Sequence, residues 1–318
     1  MPKMILAAAL ALAASAAAAQ DYPSRDIRSI CNFAAGSGAD VLVRYYSSKL
    51  AKLAGQPVVV DNKPGANGGI ATAELAKSKP DGYTIMITPA SSTIAAAPYM
   101  FKSLQFDAAR DFAAVTTIAS LSFVILVDAQ KPIHNLKDLV AELKKKPNDG
   151  FYGTSNNTGV IAAEIFKAKA GLKTTYAPYK TNVQSLTDLL QGQLDFIAYD
   201  ATWASGQVKG GKIRAIAATA SRRSVAFPDV PTFAEQGFGD ADVTPWWGVV
   251  VPAGTPKPII DKLAAWINQI TAEQDTHTFL SRAAFDPFPG SPEQMSELLK
   301  TDAARWKSYV ELAGIKPL

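Results

Sequence analysis

The sequence predicts an α/β protein of two lobes that are joined by a two-strand hinge. Short apolar runs of strand type alternate with stretches of helical periodicity, which indicates βαβ units and parallel sheets. The length of 318 residues also exceeds what one hydrophobic core usually serves. We therefore expect a discontinuous first lobe, residues 20–120 and 246–318, and a second lobe of residues 121–245.

The first set of units begins near residue 27. Strands are predicted at residues 27–33, 57–62 and 83–88. Helices are predicted at residues 41–53, 69–77 and 93–99. The first helix is indicated by apolar residues that recur at three- and four-residue intervals along one face: Val41, Leu42, Tyr45, Tyr46, Leu50 and Leu53. Gly55 then ends this helix.

The second set continues the alternation through the middle of the chain. Strands are predicted at residues 123–127, 151–153, 174–178, 194–199 and 213–219. Helices are predicted at residues 136–145, 159–170, 183–191 and 202–208. No linker rich in Pro, Gly or Ser separates the two sets. The chain would cross between the lobes near residues 119–122 and 243–247, and two such crossings form a hinge.

Helices close the chain after a predicted strand at residues 246–251. The last helix is predicted at residues 291–313, where Ser291 caps the helix and Pro292 takes its first position. These helices have no sheet of their own to cover. We therefore expect them to return to the first lobe.

Composition argues against several classes of protein. The chain has 48% hydrophobic and 19% charged residues, as folded soluble proteins do. A formal net charge of +4 without a clustered basic face does not suit a nucleic-acid binder. Cys31 is the single cysteine and His134 and His277 are the only histidines, so we expect no disulfide, no metal site and no cofactor. Cys31 lies in an apolar run and is expected to be buried.

The N-terminal segment has the pattern of a secretory signal peptide. Lys3 is followed by an apolar run of about a dozen residues and by small residues that end at Ala19. A membrane anchor is the alternative, but the run is shorter than the roughly 20 residues of a spanning helix. We expect residues 1–19 to be removed, with cleavage near Ala19, and the mature chain to be exported.

A glycine-containing turn follows the first predicted strand and leads straight into a helix. Its residues are Phe33, Ala34, Ala35, Gly36, Ser37, Gly38, Ala39 and Asp40. Free N–H groups at a helix N-terminus favour an anion. A dinucleotide fingerprint would need glycine where Val41 stands. A turn that serves only βα geometry stays open, and Asp40 either caps the helix or contacts a ligand.

Two further turns occupy the same position between a strand and a helix. One contains Thr154, Ser155, Asn156, Asn157, Thr158 and Gly159, with more short polar side chains than capping requires. The other contains Ser91 and Ser92. Ligands bind at the carboxyl ends of strands in open α/β sheets, although turn chemistry alone also explains the asparagines. None of the three turns contains Lys or Arg, so backbone dipoles and neutral donors would hold an anion.

Catalytic patterns are weak. There is no nucleophile elbow, no phosphate loop and no histidine pair at metal spacing. Asp40, Asp195 and Asp200 are the residues that a secreted α/β enzyme would use as acid and base, although Asp195 and Asp200 also suit strand-end caps. Trp203, Trp246 and Trp247 pack in a core by default, or wall a pocket for an apolar ligand body.

Motifs along nearly the whole mature chain resemble the Bug family, the periplasmic receptors of tripartite tricarboxylate transporters. They include Phe33-x-x-Gly36-x-x-x-Asp40, Val59-Val60-Asp61-Asn62-Lys63-Pro64-Gly65-Ala66-x-Gly68, Pro80-Asp81-Gly82-Tyr83-Thr84, Pro178-Tyr179-Lys180, Asp188-Leu189-Leu190-x-Gly192-Gln193-Leu194-Asp195, Trp247-Gly248 and Val251-Pro252-Ala253-Gly254-Thr255-Pro256. The resemblance implies a periplasmic binding protein of type II-like fold. Such a protein closes like a Venus flytrap on a carboxylate-bearing metabolite, catalyses nothing and delivers the ligand to a membrane permease. We expect a monomer.

The resemblance also implies site positions. They are the turn from Ala34 to Asp40, the pair Ser91-Ser92 and the segment from Thr154 to Gly159, to which we add Phe33, Asp200 and Trp203 as ligand contacts. The family usually has proline where Asn32 stands, Pro-Gly-Gly at Ala35-Gly36-Ser37, and a Gly-Ser pair near Thr158-Gly159-Val160. These departures leave aliphatic and aromatic carboxylates both open, and a ligand sensor without a transport role is a further alternative.

Overall fold

Two sheets carry the strands in the part of the chain that the structure describes, residues 22–239 and 242–317 of a computed structural model. The first sheet contains β1 (Ile27–Cys31), β2 (Val58–Asn62), β3 (Thr84–Thr88), β4 (Phe112–Ser120), β10 (Trp246–Pro252) and β11 (Asp286–Pro287). The second contains β5 (Phe123–Asp128), β6 (Phe151–Thr154), β7 (Thr175–Pro178), β8 (Phe196–Asp200) and β9 (Ile213–Ala218). The predicted signal peptide, residues 1–19, lies outside the described residues.

The strand orders place β4, β5 and β10, the strands next to the predicted hinge, inside the sheets. They run β11-β4-β10-β3-β1-β2 in the first sheet and β7-β6-β8-β5-β9 in the second. β1 pairs in parallel with β2 and β3, and β6 pairs in parallel with β7 and β8. β10 runs antiparallel to β3 and β4. The carboxyl ends of the parallel strands therefore share one edge in each sheet.

Helices cover the sheets. Those of the first half are α1 (Gly38–Ala54), α2 (Gly69–Ala76), α3 (Ala97–Met100), α4 (Leu136–Leu143) and α5 (Asn157–Ala170). The others are α6 (Asn182–Leu190), α7 (Ala201–Lys209), α8 (Lys257–Ala272), α9 (Gln274–Arg282) and α10 (Pro292–Leu312). No helix within residues 22–239 and 242–317 is long and apolar enough to cross a membrane.

Two chain segments cross between the sheets. The first leads from β4 through Leu121 and Ser122 into β5, and the second leads through residues 242–245 into β10. The backbone N–H of Leu121 donates to the Pro245 carbonyl at 2.8 Å, which joins the crossings to each other. This arrangement confirms the predicted two-strand hinge.

The last helix contacts both lobes. Met295, near the start of α10, packs with residues of the first sheet such as Val250. Trp306 and Val310, near its end, pack in a core that includes Phe166 of α5. α10 thus returns to the first sheet, as expected, and also completes the core of the second lobe, which the sequence did not indicate.

Several elements differ from the sequence-based prediction. β4 was not predicted. α1 and α5 begin earlier than expected, because the side chains of Ser37 and Asn156 cap them by accepting hydrogen bonds from Asp40 N and Gly159 N. The helix predicted at residues 93–99 is a π-helical turn (Ser91–Ala95) followed by α3, which restarts with Pro98 in its first turn.

Two single residues show opposite outcomes. Cys31 is buried and free, which confirms its prediction. Val41 was placed on the apolar stripe of α1, but 48% of its surface is exposed. That assignment was wrong, because the helix directs the next two residues, Leu42 and Val43, into the core instead.

Candidate functional site

A cavity of about 670 Å³ lies between the lobes, at the carboxyl ends of the parallel strands. The first lobe contributes the residues that follow β1, β2 and β3. The second lobe contributes the turn between β6 and α5, and α10 contributes one tryptophan. The lining residues are Asn32, Phe33, Gly65, Ala66, Asn67, Gly68, Pro89, Ser92, Thr93, Ala96, Met100, Phe101, Ser155, Asn156, Asn157, Thr158 and Trp306.

The cavity wall is electrically neutral. None of the described residues that line it is Asp, Glu, Lys or Arg. Its polar groups are amides, hydroxyls and backbone N–H groups, all of which can donate hydrogen bonds. An anion in this space would therefore be held by oriented dipoles, as the composition of the three turns indicated.

Asp40 organises the turn that follows β1. Its Oδ2 accepts hydrogen bonds from Gly36 N and Arg44 Nε, both at 2.8 Å, and its Oδ1 accepts one from Asn62 Nδ2 at 2.7 Å. Asn62 Nδ2 also donates to the Phe33 carbonyl at 3.0 Å. Only 1% of Asp40 is exposed. Its carboxylate therefore holds the shape of the turn from within the first lobe.

The surroundings of Asp40 keep it ionised. Burial disfavours the charged form, but hydrogen bonds from Arg44, Asn62 and Gly36 outweigh that cost and lower its pKa to about 2. Around it, Ala34, Ala35, Gly36 and Gly38 are exposed, whereas Phe33, Ser37 and Ala39 are half-buried. Of the residues predicted in this turn, Phe33 lines the cavity; Ala34, Ala35, Ser37, Gly38, Ala39 and Asp40 form the adjacent turn.

The two serines after β3 have different environments. Ser92 lines the cavity, and its hydroxyl donates to the Pro89 carbonyl at 3.2 Å. Ser91 is buried, and its Oγ accepts a hydrogen bond from Trp306 Nε1 at 3.1 Å. The structure thus places Ser92 at the cavity and Ser91 against α10.

The second-lobe turn presents its middle residues. Ser155, Asn156, Asn157 and Thr158 line the cavity. Asn156 caps α5 by accepting from Gly159 N at 2.8 Å. Within the described residues, the side chains and backbone N–H groups of Asn157 and Thr158 donate no hydrogen bond. The positive end of α5 and unpaired donors therefore face the space between the lobes.

Thr154 and Gly159 lie beneath that turn. Thr154 is fully buried and its hydroxyl donates to the Ala198 carbonyl at 2.9 Å. A Cβ at position 159 would approach Thr154 Oγ1 to 2.2 Å and the Ala198 carbonyl oxygen to 2.5 Å. Glycine therefore allows α5 to sit close on β8, and both residues support the turn from below.

Asp200 and Trp203 lie at the junction of β8 and α7. Asp200 caps α7 by accepting a hydrogen bond from Trp203 N at 2.9 Å. Burial raises the pKa of the Asp200 carboxyl, and this effect exceeds the opposite effect of the backbone N–H groups that bond it. The Trp203 ring packs on Tyr199 with centroids 4.7 Å apart. The structure does not bring Asp200 or Trp203 to the wall of this cavity.

The three aspartates of the enzyme alternative do not form a pair. Asp195 accepts from Lys146 Nζ at 2.5 Å and from Phe151 N at 2.9 Å, before the start of β8. Asp200 ends the same strand, about 16 Å away at the usual rise per residue. Asp40 is saturated in the other lobe. Among the described residues, no cluster of three or more His, Cys, Asp or Glu could hold a metal ion.

Three sets of lining residues were missed from the sequence, one of them Ala96, Met100 and Phe101 beyond the turn after β3. Gly65, Ala66, Asn67 and Gly68 follow β2, and the strand-end rule that selected the turns after β1 and β3 applies equally to them. Asn67 has φ of 48°, and Gly65 has φ of 124°. Trp306 comes from α10, far along the chain, and no sequence pattern placed it at the cavity.

Comparisons with known proteins agree with this architecture. Residues 42–315 match the model of the family described as tripartite tricarboxylate transporter family receptor. A UPF0065 protein of Bordetella bronchiseptica is 34% identical over 311 residues, covering 97% of this chain and 91% of that protein. Protein BugT of Bordetella pertussis is 29% identical and covers 95% and 94%.

Solved structures give the same result. An R. palustris protein with adipate has a TM-score of 0.75 and 30% identity, covering 94% of this chain and all of that one. MatC from Rhodopseudomonas palustris with bound malate has a TM-score of 0.70 and 26% identity, covering 91% and 100%. A TctC solute-binding protein from Polaromonas has a TM-score of 0.79 and 27% identity, covering 91% and 99%. The chain therefore belongs to the tripartite tricarboxylate transporter receptor family, whose members are periplasmic solute-binding proteins and not enzymes.

Proposed function

We propose that this protein captures a carboxylate-bearing metabolite between its two lobes and delivers it to the permease of a tripartite tricarboxylate transporter. The observation that carries the proposal is the interlobe cavity, which has neutral donors on both sides and no charged side chain among its described lining residues. Relatives of 30% and 26% identity were solved with adipate and with malate, both of them dicarboxylates.

The binding energy of such a site suits reversible capture. Each charge-assisted hydrogen bond contributes about 1.5–3 kcal/mol. Four or five of them, after the entropy cost of association, approach the roughly −8 kcal/mol that corresponds to micromolar affinity. Asn157 and Thr158 are the donors that we assign to the carboxylate, together with the N-terminus of α5. The Ser92 hydroxyl would join them by exchanging its hydrogen bond to the Pro89 carbonyl for one to the ligand.

The apolar part of the cavity accommodates the body of the ligand. Phe33, Met100 and Phe101 line it alongside the polar groups. An aliphatic chain or an aromatic ring would bury its hydrocarbon surface there, while its carboxylates meet the donors. Aliphatic di- or tricarboxylates and aromatic carboxylates are thus the two ligand classes of the proposal.

Ligand binding would close the lobes. Residues 20–120 and 246–318 would move as the first lobe and residues 121–245 as the second, because each contributes one side of the cavity. Closure is stabilised only when both sides contact the ligand. The mature protein, cleaved near Ala19, would act as a periplasmic monomer, and its closed form would dock on the permease.

A thermal-shift screen of mono-, di- and tricarboxylates, aliphatic and aromatic, tests the proposal. We expect at least one acid to raise the melting temperature and to be recovered chemically unchanged. A flat response to all of them would contradict carboxylate binding, and turnover of a bound acid would contradict a receptor. Loss of uptake of that acid on deletion of the gene would support transport over sensing.

A further inference from the structure

Trp306 occupies a position that the family motifs do not mark. It belongs to α10, lines the interlobe cavity and is only 4% exposed. The rest of the residue packs in the core that contains Phe166 of α5 and Ala95 of the turn after β3. One tryptophan therefore contacts the cavity and both lobes.

The indole is held in one orientation. Its Nε1 donates to Ser91 Oγ at 3.1 Å. One helical turn earlier, Asp302 accepts from Trp246 Nε1 at 2.6 Å and from Arg305 Nη2 at 2.5 Å. These bonds attach α10 to the turn after β3 and to the first residue of β10. Rotation of the ring would break the bond to Ser91 and open a gap in a packed core.

The chemistry of the ring follows from that bond. Indole has a single N–H donor and no acceptor, and here the donor is engaged with buried Ser91. The surface that Trp306 offers to the cavity is therefore entirely apolar. It can contact the hydrocarbon body of a ligand, and it cannot bind a carboxylate.

We infer that Trp306 is a specificity-determining residue whose fixed ring limits the length of the ligand body that the cavity accepts. This inference rests on the proposed function, because it assumes that a carboxylate ligand occupies the same cavity. Ser91 is a positioning residue, since it acts through the indole. Ser92, its neighbour, lines the cavity and has no bond to the indole.

Calorimetric titration with linear dicarboxylates of four to ten carbons tests the inference. Three variants are compared with the wild type: Trp306→Leu, Trp306→Phe and Ser91→Ala. Because leucine is smaller than tryptophan, the dicarboxylate that binds best to Trp306→Leu should be one or two methylenes longer than the one that binds best to the wild type. Each added methylene should change the affinity about fourfold. Trp306→Phe keeps an aromatic wall and should shift the profile less. Ser91→Ala removes the hydrogen bond to the ring and leaves its packing, so it should broaden the profile.

Trp266→Leu is the matched control. Trp266 stacks on Tyr22 with centroids 6.4 Å apart and lies under Lys262, away from the cavity. Its replacement should lower stability without changing the length profile. If Trp306→Leu does not fold, the length profiles of the milder variants Trp306→Phe and Ser91→Ala decide whether Trp306 determines the ligand length.

Two outcomes contradict the inference separately from the proposed function. Wild-type binding with an unchanged length profile in the folded Trp306 variants would overturn the role of Trp306 alone. Absence of wild-type binding to every acid, aromatic ones included, would overturn carboxylate capture and the inference with it.

Discussion

The turn after β1, which lies beside the cavity, and the turn after β6, which lines it, use the same strand-turn-helix geometry with different internal bonding. In the first lobe, Asp40 ties the turn together through Gly36, Arg44 and Asn62. In the second lobe, the described side chains of Asn157 and Thr158 donate to no protein group. One turn is pre-organised by a buried charge, and the other keeps its donors for an incoming ligand.

This difference separates stability from binding. Substitutions of the residues that hold the first-lobe turn together should act mainly on folding, because Asp40 bonds Gly36, Arg44 and Asn62 within the protein. Substitutions at the exposed positions of the second-lobe turn should act mainly on affinity. Four measurements test that separation, and we order them by the size of the expected effect.

The largest effect is expected from Gly159→Ala, which tests the support beneath the second-lobe turn. The added Cβ would meet Thr154 Oγ1 and the Ala198 carbonyl oxygen well inside contact distance. We expect a loss of about 3 kcal/mol in the free energy of unfolding, measured by urea denaturation. Gly206→Ala is the control, because nothing lies within 4 Å of its added Cβ. Equal stabilities of the two variants would show that α5 does not need this close approach.

Asp40→Asn tests the charge that organises the first-lobe turn. The amide cannot accept all three hydrogen bonds, so we expect a loss of about 2 kcal/mol in unfolding free energy at neutral pH. Asp261→Asn is the control, since Asp261 pairs with Lys257 at the same helical spacing on the exposed surface. It should change stability by less than about 0.5 kcal/mol.

The pH dependence of that difference sharpens the test. The pKa of Asp40 is about 2 in the folded protein, below its ordinary value of 3.8. Its stabilising contribution is therefore complete above pH 4 and is lost as the pH falls toward 2. Wild type and Asp40→Asn should converge in stability over that window. A gap that stays constant from neutral pH down to 2 would argue against an ionised Asp40 as the cause.

Asn157→Ala tests whether the open donors of the second lobe bind the ligand. The side chain bonds no described residue, so the melting temperature without ligand should hardly change. Affinity measured by calorimetry should fall about tenfold, as loss of one charge-assisted hydrogen bond predicts. Asn157→Asp should preserve or raise stability through the helix dipole and yet weaken binding further. Unchanged affinity in both variants would remove Asn157 from the site.

The smallest effect is expected from salt. Exposed charge pairs are screened within about 10 Å at roughly 0.1 M ionic strength, whereas enclosed dipoles are screened much less. With no charged side chain among the described residues of the cavity wall, the Kd should change less than about threefold between roughly 0.05 and 0.5 M salt. A steep salt dependence would indicate that a lysine or arginine grips the acid.

The parts of the site that the sequence predicted are local in the chain. The turns after β1, β3 and β6 follow from a strand, a cluster of small or polar residues and a helix. Asp40 and Arg44 are one helical turn apart, so their pairing also follows a local rule. The turn with Gly65 obeys the same rule after β2, so the local sequence predicts it equally well.

The remaining features depend on tertiary contacts. Trp306 bonds Ser91 across 215 residues of sequence, and no periodicity relates them. Asn62 reaches Asp40 only because β2 pairs with β1. Ser91 is buried while its neighbour Ser92 lines the cavity, because α10 docks against Ser91. Local propensity carries no signal for such contacts.

The docking of α10 also governs the order in which the polypeptide can reach its native state. Trp306 and Val310 complete an apolar core whose other members lie between residues 95 and 243. The core of this middle part of the chain therefore stays incomplete until the last turns of α10 have docked on it. Cutting the chain after residue 290 would remove α10 and expose the hydrophobic surface that Trp306 and Val310 cover, even if the strands of the middle part stayed intact.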